Sequence, residues 1–118
     1  MMKKVLVIEG DSDVRELMHY LLKDAGYQII TTFSETDMIK VIQKENPDAI
    51  ILDVIHPHKD AELCKAIKAT SDINHIPLIV VSTYSKSDIL KDICADDVIP
   101  KPFDIRDFIT ILERQLVA

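Results

Sequence analysis

The sequence predicts a doubly wound α/β domain, with one five-stranded parallel sheet and helices on both of its faces. Short apolar runs alternate along the chain with segments whose apolar residues recur at helical spacing. The runs are continuous rather than alternating, which is typical of strands buried on both faces of a parallel sheet. Right-handed crossovers then place helices on both sides of that sheet. With 118 residues and 47% hydrophobic content, the chain has the size and composition of a single packed domain.

Five strands are predicted. The three strongest are the apolar runs Val5-Leu6-Val7-Ile8, Ala49-Ile50-Ile51-Leu52 and Leu78-Ile79-Val80-Val81. Residues 28–32 and 98–99 are weaker candidates. Together with the helices they give the order βαβαβαβαβα, and the chain shows no repeat, linker or low-complexity segment.

Five helices are predicted between and after the strands. In the first, the apolar residues follow the spacing of one buried face: Val14, Leu17, Met18, Leu21 and Leu22. Gly26 ends this helix, Ser34 and Asp37 open the second with a capping-box pattern, and Pro47 closes it. Asp104 caps the last helix. The other apolar markers are Leu63, Ala66 and Ile67 in the third helix, Ile89, Leu90 and Ile93 in a short fourth, and Phe108, Ile109, Leu112 and Leu116 in the last.

Composition and charge exclude several functional classes. The net charge of −6 and pI near 5.1 disfavour nucleic-acid binding, which normally needs a basic face. No apolar run approaches the ~18 residues that span a bilayer, and the first residues lead directly into a strand without a cleavage site. Cys64 and Cys94 form neither a disulfide framework nor a metal-type spacing. We therefore expect a cytoplasmic chain with no membrane contact, in which both cysteines are reduced and buried.

Polar side chains follow four of the predicted strands, at the edge where ligands of such sheets bind. Glu9 and the segment 10–13 follow the first strand, Asp53 ends the third, Ser82 ends the fourth, and Lys101 follows the fifth. Carboxylates gathered in one place need a cation or proton to offset their repulsion. Oxygen ligands from two loops suit Mg²⁺, which commonly bridges to phosphate.

This combination indicates phosphoryl chemistry. Asp53 could act as a carboxylate nucleophile, while Mg²⁺, Lys101 and Ser82 stabilise the oxygens of the transferred group. The alternative is that these are ordinary loop and cap residues. We favour a helix-capping role for the segment Asp11-Ser12-Asp13, and a functional role for Asp53 and Lys101.

Four segments, in order along the chain, resemble the receiver domains of two-component response regulators. They are Val5-Leu6-Val7-Ile8-Glu9, Ile51-Leu52-Asp53-Val54-Ile55-His56-Pro57, Val80-Val81-Ser82-Thr83 and Lys101-Pro102-Phe103. The resemblance covers the whole chain, so residues 1–118 are expected to form one receiver domain. It implies a flavodoxin-like, CheY-like sheet of order 2-1-3-4-5 and a cis peptide between Lys101 and Pro102.

The resemblance also implies roles for individual residues. Asp53 would accept a phosphoryl group from a sensor histidine kinase or phosphotransfer protein, and Ser82 and Lys101 would contact that group. Mg²⁺ would be held by Glu9, Asp53 and the backbone carbonyl of Ile55. A downstream protein or output domain would be met by the face formed by the fourth predicted helix, the fifth strand and the last helix.

One departure from the family pattern affects the metal site. Receiver domains normally carry two adjacent acids after the first strand, whereas this chain has Glu9 followed by Gly10. A lost carboxylate is expected to weaken Mg²⁺ binding, because few protein ligands hold this ion. Asp11 is the nearby acid that could take the place of the missing ligand. The alternative function is therefore a pseudo-receiver, an interaction module that works without phosphorylation.

Three further departures lie elsewhere in the chain. Val98 replaces the usual aromatic residue and is expected in the core, the 82–101 segment is about one helical turn short, and the usual glycine is missing near Asp60 and Ala61. Ile55 cannot orient a hydrolytic water and Tyr84 is bulky, so a phosphorylated form is expected to be long-lived. The chain is not expected to be an enzyme beyond accepting and slowly losing its own phosphoryl group.

Other chemistries fit the residues less well. An aspartyl-phosphate phosphatase would show an Asp-x-Asp pattern where this chain has Asp53-Val54-Ile55. A flavodoxin needs neutral phosphate donors, whereas the loop after the first strand is acidic. His56 and His58 flank a proline and are favoured as loop residues rather than as transition-metal ligands.

Overall fold

The computed structural model describes residues 2–32, 38–54, 57–82 and 94–116, and for Pro57 and His58 it describes the backbone alone. Five parallel strands form one sheet in the order β2-β1-β3-β4-β5, which confirms the predicted architecture. The strands are β1 Lys4–Ile8, β2 Gln28–Thr32, β3 Ala49–Asp53, β4 Leu78–Ser82 and β5 Asp97–Pro100. The two weaker predicted strands are thus both present, as the two edges of the sheet.

Four helices lie in the described ranges, and none of them is long and apolar enough to cross a membrane. They are α1 Ser12–Asp24, α2 Met38–Glu45, α3 Pro57–Ala69 and α4 Ile105–Leu116. The short helix predicted around Ile89, Leu90 and Ile93 lies outside the described residues, as does the capping-box pair Ser34 and Asp37. The last predicted helix is therefore α4 here.

The core consists of two clusters, one on each face of the sheet. Successive side chains of a strand point to opposite faces, so each central strand contributes to both clusters. Leu6, Ile50 and Val80 pack with residues of α2 and α3, whereas Val7, Ile51 and Val81 pack with residues of α1 and α4. All five residues of β3 and of β4 are buried. This burial on two faces explains why the predicted runs are continuous rather than alternating.

Helix boundaries follow the predicted caps where the structure describes them. The Asp11 side chain accepts hydrogen bonds from the backbone amides of Asp13 and Val14 at the start of α1. Gly26 follows the end of that helix with a φ of 94°, a left-handed conformation that glycine adopts at little cost. At α4, Asp104 Oδ1 accepts a 2.6 Å hydrogen bond from the Arg106 amide.

Two predictions of burial are wrong. Leu17 belongs to the predicted buried face of α1 but is 53% exposed. It lies about 120° around the helix from the midpoint of Met18 and Leu22, the two residues of α1 that are buried. Cys64 is buried as expected, whereas Cys94 is exposed. Cys94 lies in the segment before β5, where its neighbour Ala95 and not Cys94 packs against the core.

Candidate functional site

The strand register brings the four polar segments to one edge of the sheet. Ile8 pairs with Leu52, Asp53 with Val81, and Ser82 with Pro100. Backbone hydrogen bonds continue beyond the strand ends, from the Glu9 amide to the Thr32 carbonyl and from the Lys101 amide to the Ser82 carbonyl. Glu9, Asp53, Ser82 and Lys101 therefore all lie where parallel strands end, as the sequence predicts.

An ion pair joins Asp53 to Lys101 across the end of β4. Lys101 Nζ contacts Asp53 Oδ1, and the two side chains are 28% and 5% exposed. A largely buried carboxylate is costly unless it is paired, and Lys101 provides the opposite charge that offsets this cost for Asp53. The peptide bond between Lys101 and Pro102 is cis, as expected. Ser82 is buried at the same edge.

Glu9 is the second buried carboxyl group of the site and is 1% exposed. Its Oε1 accepts a hydrogen bond of 3.0 Å from the Asp11 amide, whereas its buried Oε2 has no hydrogen-bond partner among the described residues. Burial, together with the neighbouring Asp53 carboxyl group, raises the pKa of Glu9 to about 7. The Asp11 amide and Lys101 oppose this rise only in part. Glu9 and Asp53 thus form a carboxyl pair that favours binding of a proton or a cation.

Asp11 is committed to the start of α1. Its Oδ1 accepts hydrogen bonds of 2.8 Å and 3.2 Å from the amides of Asp13 and Val14, and the residue is exposed. This confirms the capping interpretation of Asp11. The same atom would have to leave the helix terminus in order to serve a metal ion.

Sequence reasoning did not identify Arg15, which lies one turn into α1. Its Nη1 donates a 2.9 Å hydrogen bond to the Glu9 carbonyl and a longer one to the Gly10 carbonyl. Arg15 therefore fixes the backbone of the loop where the expected second acid is missing. The sequence signal that could have identified Arg15 is its position four residues after Asp11. Residues four apart lie on the same side of a helix, which places Arg15 beside the loop that precedes α1.

The residues present fit a magnesium ion, but with few ligands. Among the described residues, no group of three or more ligating side chains is gathered around a possible metal position. Glu9 and Asp53 supply carboxyl groups, and Glu9 Oε2 is a buried oxygen without a partner in the described part of the chain. Mg²⁺ often binds through only one or two carboxylates, together with water and phosphate oxygens. The third predicted ligand, the carbonyl of Ile55, lies outside the described residues.

Several other predictions concern residues near this site. Val98 is buried in the core cluster with α3, as expected from its apolar side chain. Ile55, His56 and Tyr84 lie outside the described residues, and the side chain of His58 is not described. Their predicted contributions to hydrolysis or to the loop remain predictions.

A parallel sheet of order β2-β1-β3-β4-β5, with a buried aspartate paired to a lysine at its C-terminal edge, defines a flavodoxin-like protein of the CheY type. The chain matches the model of the response regulator receiver domain over residues 5–113. It therefore belongs to the response regulator receiver family of two-component systems.

Solved structures similar to this chain include both free regulators and parts of kinases. The chemotaxis response regulator CheY4 of Vibrio cholerae is 28% identical, with a TM-score of 0.87 over 98% of this chain and 100% of that chain. The signal receiver domain of a signal transduction histidine kinase from Syntrophus aciditrophicus is 25% identical, with a TM-score of 0.85 over 97% of this chain and 89% of that chain.

A third similar structure contains a metal ion. It is the receiver domain of the sensor histidine kinase PA1611 from Pseudomonas aeruginosa PAO1, described with magnesium coordinated in the active site cleft. It is 18% identical, with a TM-score of 0.78 and complete coverage of both chains. At this identity the likeness concerns the fold.

Proposed function

We propose that this receiver domain accepts a phosphoryl group on Asp53 and switches the binding of a protein partner in response. The observation that carries the proposal is the pairing of buried Asp53 with Lys101 at the C-terminal edge of the sheet. The donor would be a phosphohistidine on a sensor histidine kinase or phosphotransfer protein. The proposal includes the cytoplasmic location expected from the sequence.

The proposed transfer forms one bond and breaks another. An Asp53 carboxylate oxygen attacks the phosphorus of phosphohistidine, the phosphorus–nitrogen bond breaks, and an acyl phosphate forms while the histidine leaves. The ammonium group of Lys101 contacts the Asp53 carboxylate. As the carboxylate becomes an acyl phosphate, this group would lose its ion pair with Asp53 and pair with the phosphoryl oxygens instead. The buried Ser82 hydroxyl lies on the neighbouring strand and would donate to the same oxygens.

Magnesium would be held by Glu9 and Asp53, with the backbone carbonyl of Ile55 as a further ligand. When bound, the ion would neutralise charge on the phosphoryl oxygens, as divalent ions do in phosphoryl transfer. The protein contributes by keeping Glu9 Oε2 buried and available at this place. Because Gly10 supplies no carboxylate, we expect weak binding of the ion until phosphate oxygens complete the ligand set.

The direct test uses acetyl phosphate as a small phosphoryl donor and measures the intact mass of the full chain. With Mg²⁺, the wild type should gain the mass of one phosphoryl group, and it should gain none when the ion is chelated. Asp53→Asn should gain none in either condition. Asp13→Asn, which alters an exposed acid nearby, is the matched control and should behave as the wild type does. Equal labelling of Asp53→Asn would refute the assignment of Asp53.

The lifetime of the phosphorylated form tests a second part of the proposal. Ile55 has no polar group to orient an attacking water, and Tyr84 offers a bulky side chain two residues after Ser82. We expect the acyl phosphate to survive far longer than seconds, when phosphate release is followed after removal of the donor. Loss within seconds would show that hydrolysis does not depend on these two side chains.

A pseudo-receiver is the second candidate, and a specific observation favours it. Gly10 supplies no ligand, and the Asp11 carboxylate caps α1 instead of replacing the missing acid. In that case the domain would bind its partner without phosphorylation. Beryllofluoride with excess Mg²⁺ imitates the phosphorylated aspartate, so failure of the folded protein to bind it would favour this candidate. Binding that is lost in Asp53→Asn would favour phosphorylation.

A further inference from the structure

The two cysteines of the chain lie on elements that an ion pair holds together. Cys64 lies in α3 and is fully buried, whereas Cys94 precedes β5 and is exposed. Lys68 of α3 forms a 2.7 Å ion pair with Asp96. Asp96 in turn accepts a 2.7 Å hydrogen bond from the Leu78 amide. The C-terminal half of α3 is therefore fixed to the segment that carries Cys94.

Both cysteines lie close in sequence to the two residues of this ion pair. Cys64 precedes Lys68 by four residues on the same side of α3, a distance of roughly 6 Å along the axis. Cys94 precedes Asp96 by two residues and is at most about 7 Å away along the chain. Ala95, the neighbour of Cys94, packs against the core cluster that contains Cys64.

The charge of Cys94 also acts on the Cys64 thiol. Burial raises the pKa of Cys64 to about 12, and the charges of Asp60 and Cys94 add to the rise. Cys94 is therefore one of the groups close enough to Cys64 to influence its charge. The exposed thiol is then the one that reacts first with a dissolved oxidant, because thiolates are the reactive form and burial disfavours the thiolate of Cys64.

We propose that Cys64 and Cys94 form an intramolecular disulfide when a peroxide oxidises Cys94, which joins α3 covalently to the segment before β5. The Cys94 thiolate attacks the peroxide, the oxygen–oxygen bond breaks, and Cys94 becomes a sulfenic acid. The Cys64 sulfur then attacks the Cys94 sulfur, the sulfur–oxygen bond breaks, and the proton of Cys64 leaves with the hydroxide as water. Altogether two thiols lose two electrons and two protons, and hydrogen peroxide becomes two waters.

The proposed disulfide suits the environment of Cys64. Burial disfavours the charged thiolate but not a neutral disulfide, because the disulfide places no charge in the core. The bond would connect the helix that follows Asp53 with the strand that leads to Lys101. It would therefore give the domain a response to oxidation that is chemically separate from phosphorylation, and the inference does not depend on the proposed function.

The test treats the reduced full chain with hydrogen peroxide and measures intact mass, followed by trypsin digestion without reductant. The wild-type monomer should lose the mass of two hydrogens, and residues 60–65 should be recovered joined to residues 92–106. A reducing agent should reverse both changes. Cys94→Ser should resist the oxidant because Cys64 is buried, whereas Cys64→Ser should accumulate a sulfenic acid that dimedone traps at Cys94.

Oxidation of wild-type Cys94 to a sulfenic or higher acid without the crosslinked peptide would overturn the proposal. A crosslink found only between two chains, seen as a doubled mass without reductant, would overturn it equally. Because the wild type itself gives the deciding measurement, the test does not depend on either variant folding. Circular dichroism of the oxidised and reduced wild type is the check that both states are folded when the mass is read.

Discussion

The missing acid at position 10 is the residue-scale feature that most affects the proposed chemistry. Positive φ occurs, among the described residues, at Asn46 and Gly26, so the backbone at Gly10 is one that other residues can adopt. The loop is also fixed by Arg15, which hydrogen-bonds to backbone carbonyls rather than to a side chain at position 10. The weak Mg²⁺ binding that we propose would thus arise from the missing side chain at position 10 and not from the loop conformation.

Restoring this acid should strengthen the metal site. We expect Gly10→Asp to lower the Kd for Mg²⁺ on the order of tenfold or more, because a third carboxylate joins Glu9 and Asp53. Isothermal titration calorimetry measures the effect, with Gly10→Asn as the control for adding a side chain of the same size without charge. Equal affinities in all three proteins would mean that position 10 does not reach the ion.

Glu9 should make stability depend on pH when Mg²⁺ is chelated. Its pKa is about 7 in the folded state against the ordinary 4.5, so the folded state binds more protons between these values. Stability therefore falls as the pH rises from 4.5 through 7, by roughly 3 kcal/mol in total. Urea unfolding from pH 5 to pH 8 should show this loss in the wild type.

The matched variant for this prediction is Glu9→Gln, which keeps the size of the side chain and removes its titration. The difference in free energy of unfolding between the two proteins removes the contribution of groups distant from the site and leaves that of Glu9 together with its interaction with Asp53. As the pH rises from 5 to 8, this difference should shift in favour of Glu9→Gln by most of the roughly 3 kcal/mol expected for Glu9. A difference that stays constant with pH would contradict the raised pKa.

At the scale of single elements, helix α1 depends on the cap that Asp11 provides. Two backbone amides donate to Asp11 Oδ1, and helix termini need such acceptors because their first amides have no partner within the helix. We expect Asp11→Ala to lower the free energy of unfolding by about 1 kcal/mol, as measured by urea unfolding. Asp11→Asn keeps an acceptor oxygen and should stay close to the wild type.

The same pair of variants separates capping from metal binding. If Asp11 serves the helix alone, Asp11→Asn should bind Mg²⁺ as the wild type does. A marked loss of Mg²⁺ affinity in Asp11→Asn at unchanged stability would instead assign its carboxylate to the ion.

A second link between elements stabilises the edge strand β5. Asp97 of β5 accepts hydrogen bonds from Arg114 and Gln115 of α4. Burial alone would raise the pKa of Asp97, but these hydrogen bonds outweigh it and lower the pKa. The strand that leads to Lys101 is therefore held by α4 on one side and, through Lys68 and Asp96, by α3 on the other.

At the scale of the whole molecule, occupation of the site should stabilise the fold, because a ligand that binds only the folded state shifts the unfolding equilibrium. At a concentration 100 times its Kd, a ligand adds about 2.7 kcal/mol. For a domain of this size that corresponds to a rise in Tm of roughly 10 °C. We expect beryllofluoride with Mg²⁺ to give such a rise, measured by circular dichroism. Asp53→Asn should show no rise beyond that of Mg²⁺ alone.

Much of the fold could be predicted because local patterns and tertiary structure agree. A continuous apolar run such as residues 49–52 has apolar side chains on both faces of its strand, so both faces must be buried, and the crossover rule then limits the topology. The error at Leu17 has a physical cause, since a helix against a sheet buries a stripe narrower than its apolar pattern. The prediction that Cys94 is buried rested on the general tendency of free cysteines to be buried. It was wrong because residue type alone does not tell whether a residue outside a strand or helix faces the core or the solvent.

The sequence by itself determined the parallel α/β fold, the position of Asp53, Ser82 and Lys101 at strand ends, and the absence of an acid at position 10. These follow from hydrophobic periodicity and residue identity, which are local properties of the chain. The tertiary structure decided that Lys101 pairs with Asp53, that Glu9 is buried with an unpartnered oxygen among the described residues, and that Asp11 caps α1. These depend on distances between residues far apart in the sequence, which only the packed strands and helices set.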